Sequence, residues 1–279
     1  MKLNLFKRSG AGLAALAGIA MTCVGCATSS QPRTDFSAPP PAGEPTGFLN
    51  KTFGRGGGEF ARYVVYVPYD YTPDQAWPMI VFLHGAGERG NDGLIQTEVG
   101  IGTALRRTPG RFPAIVVFPQ CPEDQFWDSI LDVLEGVMAK TREQYHIDPA
   151  RQYLTGLSMG GYGAWLWGAT KADTFAALMP VCGGGAYFVP KAHLGAKDEA
   201  VFGTMPERVE KLATVPIWAF HGADDDVVPP AETRMMVERV RQAGGEVKLT
   251  IFPKTGHNSW DQAYGHKKAI RWLFKQSKD

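Results

Sequence analysis

Gly156-Leu157-Ser158-Met159-Gly160 sets a serine between two glycines. It follows a short apolar run, Gln152 to Leu154, and opens an apolar, glycine-rich segment ending near Ala169. That order reads as a strand, a sharp turn and a helix. A nucleophilic serine needs such a turn. It must stand clear of the sheet, and flanking glycines let strand and helix approach closely. The helix N-terminus behind it offers backbone N–H groups and a favourable dipole to an oxyanion. The same string also serves as a plain small-residue turn, so the serine needs partners before it means chemistry. A hydroxyl is a weak nucleophile at neutral pH. It requires a histidine base, and the base requires a carboxylate to hold its tautomer and stabilise the imidazolium. The cluster Asp224-Asp225-Asp226 and then His257 follow Ser158 in the chain, each just after an apolar run. The order Ser, Asp, His at strand ends is far more specific than the serine turn alone. The chemistry it would perform is acyl transfer.

These residues need a scaffold, and the apolar pattern supplies one. Arg62–Pro68, Pro78–Leu83, Ala114–Phe118, Gln152–Thr155, Ala176–Val181, Pro216–Phe220 and Val247–Phe252 read as strands. Pro78–Leu83 is continuously apolar, as in a sheet covered on both faces. Helical spacing predicts a helix over about 129–144, and others around Ala231–Gln242 and Asp261–Phe274. Alternating elements of this kind predict an α/β fold with a mostly parallel central sheet and helices on both faces. Ligands of open α/β sheets bind at the carboxyl ends of the strands. There lie His84-Gly85-Ala86-Gly87-Glu88, Pro119-Gln120-Cys121-Pro122, Cys182-Gly183-Gly184, His221-Gly222 and Gly256-His257-Asn258-Ser259-Trp260. His84 and His221 each precede a glycine in a tight turn and are expected to be structural. His146, His193 and His266 carry no motif and are expected at the surface or in packing.

Length and charge exclude other classes. The chain has 279 residues, enough for one large domain with a core, and a net charge of +1 gives no broad pull toward nucleic acid. No repeat or metal-ligand spacing such as CxxC or HExxH occurs, and the chemistry calls for no cofactor. Lys2, Lys7 and Arg8 precede a short apolar run, Gly10 to Met21, which ends in Thr22-Cys23-Val24-Gly25-Cys26. This resembles a bacterial lipoprotein signal over residues 1–26, with Cys26 as the lipidated residue. Cys23 stands where such signals carry an aliphatic residue, so simple secretion is the alternative. Residues 27–46 are rich in Ser, Pro, Ala and Gly and read as a flexible tether. The catalytic domain is expected over 47–279, exported and anchored to a membrane if Cys26 is lipidated.

Five stretches carry a family resemblance: Phe82–Gly90, Ile115–Pro122, Gly156–Gly161, Pro180–Gly184 and Gly256–Asp261. The chain resembles the α/β-hydrolase superfamily. More narrowly, it resembles the bacterial carboxylesterase and dienelactone-hydrolase-like group, with relatives among polyhydroxybutyrate depolymerases and feruloyl esterases. The resemblance implies His-Gly-x-x-Asp-x-x-Val-Pro after the seventh strand, which selects Asp225, with Val228 and Pro229 closing the motif. It implies an oxyanion hole of two backbone N–H groups, Met159 and one from the loop after Leu83, where Ala86 is the first choice and Gly87 the next. It also implies strand order 4-3-5-6, which puts Cys121 and Cys182 three strands apart, about 14 Å, and predicts two reduced thiols. True dienelactone hydrolases carry cysteine where this chain has Ser158. Trp127, Trp260 and Gln120 are candidate substrate-binding residues, with core packing as the competing role for the tryptophans; Glu88 is a further pocket candidate, and Tyr162 is expected in the core. The connection from Ala186 to Thr214, between the sixth and seventh strands, is long for the group and includes a predicted short helix at Glu207–Leu212.

The resulting expectation is an exported serine carboxylesterase acting on carboxylic esters, including acyl groups on polysaccharides. A prolyl-oligopeptidase-like peptidase uses the same triad, although no propeller precedes the hydrolase region. A non-catalytic binding protein on a hydrolase scaffold would predict a broken triad.

Overall fold

The computed structural model describes residues 45–57, 59–185 and 209–278. Eight strands form one sheet: β1 (Gly47–Gly56), β2 (Glu59–Val67), β3 (Trp77–Leu83), β4 (Ile115–Pro119), β5 (Ile147–Leu157), β6 (Ala177–Val181), β7 (Ile217–Gly222) and β8 (Val247–Phe252). Their order is β1-β2-β4-β3-β5-β6-β7-β8. The first two pairings, β1 with β2 and β2 with β4, are antiparallel; all others are parallel. The helices are α1 (Ile101–Arg107), α2 (Leu131–Gln144), α3 (Met159–Thr170), α4 (Pro230–Gln242), α5 (Trp260–Gly265) and α6 (Lys267–Leu273).

The continuous apolar runs exist because both faces of the sheet are covered. Successive side chains alternate across a strand. Met79, Val81 and Leu83 of β3 join Ile115 and Val117 of β4 in one core, with residues of α2, α3 and α4. Ile80 and Phe82 join Val116 and Phe118 in the other, with residues of α1, α5 and α6. This is the α/β-hydrolase fold expected from the sequence. Residues Glu44–Asp279 form one compact unit. The leader and the tether fall on residues outside those described, save Pro45 and Thr46. Among the described residues no helix is long and apolar enough to cross a membrane.

Three details differ from the sequence reading. The predicted helix over 261–274 is two helices, because His266 caps α6: its Nδ1 accepts from the Ala269 N–H at 3.1 Å. The short helix predicted at Glu207–Leu212 is a 3-10 helix at Val209–Thr214, while the rest of the long connection, 186–208, lies outside the described residues. β1 and α1 have no counterpart in the sequence reading.

Candidate active site

The nucleophile turn follows from two glycines. A Cβ on Gly156 would stand 2.2 Å from the Gly160 carbonyl oxygen, and one on Gly160 would stand 1.9 Å from that of Leu83. Only glycine lets β5, β3 and the start of α3 come this close. Every residue of α3 from Met159 to Ala169 is buried. Ser158 joins β5 to α3 at φ 52°, ψ −119°, a strained conformation for a residue with a side chain. Its N–H is tied to the Val181 carbonyl at 3.0 Å, and its carbonyl accepts from the Tyr162 N–H at 3.1 Å.

The loops after β7 and β8 bring the partners in. They are laced by Ala223 N to Phe252 O and Asp224 N to Thr255 O, both 2.9 Å. Ser158 Oγ lies 2.9 Å from His257 Nε2, and His257 Nδ1 lies 2.9 and 3.0 Å from the two Asp225 carboxylate oxygens. With Nδ1–H donating to the carboxylate, Nε2 is left to accept the serine proton. Asp225 Oδ1 also accepts from the N–H groups of Val227 and Val228. Burial alone would raise the Asp225 carboxyl. Hydrogen bonds from His221, His257 and Val228 outweigh that and hold it far below the usual carboxylate range. The His257 ring keeps partial exposure, 19% of its side chain, so a substrate can meet it.

The expected oxyanion elements border this line. Met159 is the first residue of α3, and Ala86 opens a 3-10 turn after β3. A Cβ on Gly85, the residue before Ala86, would stand 3.6 Å from Ser158 Cβ and 3.1 Å from Glu88 Oε2. Glu88 is partly buried; burial raises its carboxyl, opposed by the backbone N–H groups of Gly85 and Glu88.

Two candidate substrate-binding residues hold that turn instead of facing a ligand. Trp127 is fully buried, its ring 4.8 Å from that of His84, and its Nε1 donates to the His84 carbonyl at 3.1 Å. A ring enclosed this way presents no face for stacking. Gln120 is buried as well: its Oε1 accepts from the Gly93 N–H at 2.7 Å, and its Nε2 donates to the Glu88 carbonyl at 3.4 Å. Both brace the loop carrying Ala86 from the exit of β4, which runs beside β3. Trp260 is different: it is half-buried and lies edge-on to His257, 5.4 Å between rings. His84 completes the brace. Its Nδ1 meets the Gly85 carbonyl at 2.6 Å, and its Nε2 accepts from the Cys121 N–H at 3.0 Å. Burial, above all, lowers its pKa to about 4, so it stays neutral.

Sequence reasoning missed two neighbours of Asp225. His221 Nε2 lies 3.0 Å from Asp225 Oδ2 inside the core. Its only sequence signal is its place four residues before Asp225 at a strand end. Cys182, at φ 40°, is fully buried, and its sulfur, an Asp225 oxygen and a His257 nitrogen lie within 4.8 Å of one another. That trio has metal-ligand types, but the carboxylate is already engaged and burial pushes the thiol up to about 12, so it stays protonated. Cys121 and Cys182 are both free thiols, as expected.

The model of the prolyl oligopeptidase family, Peptidase_S9, matches residues 198–279, the part bearing Asp225 and His257. A solved thermostable esterase is 35% identical, with a TM-score of 0.70, over 83% of this chain and 63% of that one. The chain is 28% identical to an uncharacterized peptidase, YuxL, of Bacillus subtilis strain 168, over 46% of this chain and 22% of that protein. It is 25% identical to an uncharacterized secreted protein of Arthroderma benhamiae, over 66% of this chain and 21% of that protein. The matches thus span only about a fifth of either curated relative. A ferulic acid esterase and an acylaminoacyl peptidase of Pyrococcus horikoshii, each 17% identical, share the fold.

Proposed function

We propose that this α/β-hydrolase, a hydrolase of the esterase and peptidase type, is a serine carboxylesterase. The observation that carries the reading is the unbroken line Ser158 Oγ, His257 Nε2, His257 Nδ1, Asp225, with 2.9 Å at each hydrogen bond. In the proposed reaction His257 takes the Ser158 proton as Oγ attacks the ester carbonyl. The N–H groups of Met159 and Ala86 receive the oxyanion, a contribution of about 3–4 kcal/mol for each such donor. Collapse expels the alcohol, which takes the proton back from His257. Water, activated by the same imidazole, then releases the acid. Asp225 holds the tautomer throughout and stays ionised.

The 35% identity to a thermostable esterase supports ester over amide substrates. The Peptidase_S9 match and the Bacillus relative support the second reading, a serine peptidase. Matched substrates separate them: p-nitrophenyl acetate against short peptidyl p-nitroanilides. The esterase reading requires kcat/KM for the ester to exceed that for every anilide by more than their difference in intrinsic reactivity. Anilides turned over as well as the ester would make it a peptidase. The basic and apolar leader, together with the secreted Arthroderma relative, supports export, with Cys26 as the lipidation site; an exported esterase would meet acyl groups on polysaccharides, the substrate class we propose. Metabolic labelling with a radioactive fatty acid, lost in Cys26→Ala, tests the anchor.

A further inference from the structure

His221 contacts Asp225 from inside the core, with no solvent exposure. Its Nε2 lies 2.9 Å from the Val228 carbonyl oxygen and 3.0 Å from Asp225 Oδ2. A carbonyl and an ionised carboxylate can only accept, so Nε2 carries a proton. Its Nδ1 lies 2.7 Å from Thr233 Oγ1, and that hydroxyl lies 2.5 Å from the Gly183 carbonyl oxygen. A threonine hydroxyl has one proton. The carbonyl can only accept it, which leaves Oγ1 nothing but lone pairs to offer the ring. Nδ1 therefore carries a proton as well.

We infer that His221 is a buried imidazolium paired with Asp225, and that it is a positioning residue for the hydrolytic site, an inference that rests on the triad proposed above. Three acceptors surround the ring: the Val228 carbonyl and the Asp225 carboxylate at Nε2, and the Thr233 oxygen, itself donating to the Gly183 carbonyl, at Nδ1. A buried charge is tolerated only when it is paired and hydrogen-bonded in this way. The pair does two things. It fixes the carboxylate plane toward His257, and it offsets part of the negative field that would otherwise draw a proton onto His257. The base then stays free at lower pH than a lone buried aspartate would allow. Among the described residues, the titratable groups facing this pair include His257, the Cys182 thiol after β6 and the Tyr162 phenol on α3, which also feels Glu232 on α4; Asp224 and Asp226 flank Asp225 in its loop.

The test is a long-range proton–nitrogen correlation spectrum of the full chain labelled with ¹⁵N-histidine, from about pH 5 to about pH 9. The expected spectrum holds one ring with both nitrogens protonated throughout, absent in His221→Gln. A His221 ring with one bare nitrogen across that range overturns the inference. The kinetic arm uses p-nitrophenyl acetate. In His221→Gln the acid limb of kcat/KM moves up by about one pH unit. Thr233→Val keeps the ring but removes the acceptor at Nδ1, and it moves the limb in the same direction. Limbs unmoved in both variants overturn the positioning role. A wild type that keeps the doubly protonated ring but does not turn over the ester supports the ion pair and sinks the esterase reading instead.

Discussion

His257 Nε2 stands 2.9 Å from Ser158 Oγ although 99 residues separate them in the chain. Nothing local holds that distance. It is set by the loops after β5, β7 and β8 opening on the same end of the sheet, and by Asp225 gripping the far side of the ring. Asp225 is therefore the residue whose loss discriminates geometry from charge. Asp225→Asn keeps the side chain's shape and should lower kcat of the folded variant for p-nitrophenyl acetate by about 10⁴-fold, the scale seen when a triad histidine is left in the wrong tautomer. A loss under tenfold would mean that the carboxylate does not orient His257.

The same substitution has a signature in acid. The Asp225 carboxyl is lowered in the folded protein. A lowered carboxylate stabilises the fold above its unfolded value, about 3.9, and that stability is lost as pH falls below it. Between about pH 5 and about pH 2 the wild-type Tm should therefore fall more steeply than that of Asp225→Asn. Parallel Tm curves would contradict the shift.

His84 titrates in a different window. Its pKa is lowered to about 4, chiefly by burial beside Trp127. The neutral ring therefore stabilises the fold above the unfolded value of about 6.5, and this is lost as pH falls toward 4. The expected loss by pH 4 is about 3 kcal/mol. Urea unfolding at pH 7 and pH 4 reads it, and His84→Gln should show less of this acid dependence. A wild type equally stable at both pH values would mean that His84 does not stay neutral in the fold.

Gly160→Ala tests the close approach behind the nucleophile. Its new methyl would stand 1.9 Å from the Leu83 carbonyl oxygen, which is backbone and cannot rotate aside. The expected cost is at or above the upper end of the usual 1–3 kcal/mol for overpacking. Activity should fall with it, because the same shift moves Ser158. Thermal melts of wild type and variant measure the first effect, and kcat the second. A Tm within a degree of wild type would show that the turn has room.

Trp260 is the one expected aromatic that stays at the rim of the site. Trp260→Ala should raise KM for an aromatic acyl ester by about 2- to 10-fold and leave that for the acetate ester nearly unchanged. Equal changes for both esters would assign Trp260 to packing against His257 alone.

The sequence carried most of the triad. Ser158, Asp225 and His257 each sit where an apolar run ends, and the strands built from those runs bring all three to one place. It is the family resemblance, through the pattern His-Gly-x-x-Asp-x-x-Val-Pro, that selects Asp225 from its two neighbours; the structure gives it the buried carboxylate, while Asp224 and Asp226 remain exposed. The braces were not legible. Gln120, beside the end of β4, and Trp127, flanking the site in the chain, read as pocket candidates, with core packing as the competing role for Trp127, and packing is what the structure shows. Their true partners, Gly93 and His84, come from the neighbouring β3 exit, a relation of strand order and not of spacing. β1 escaped because an edge strand pairs on one side and shows only a weak apolar rhythm. The seven residues of α1 are too few for a helical period to stand out.

The most direct test of the account is fluorophosphonate labelling of the full chain, followed by peptide mass mapping, alongside p-nitrophenyl acetate turnover. The account predicts one adduct on Ser158, no adduct and background turnover in Ser158→Ala, and slow labelling in Asp225→Asn. An unlabelled wild type, or ester turnover that survives Ser158→Ala, would contradict it.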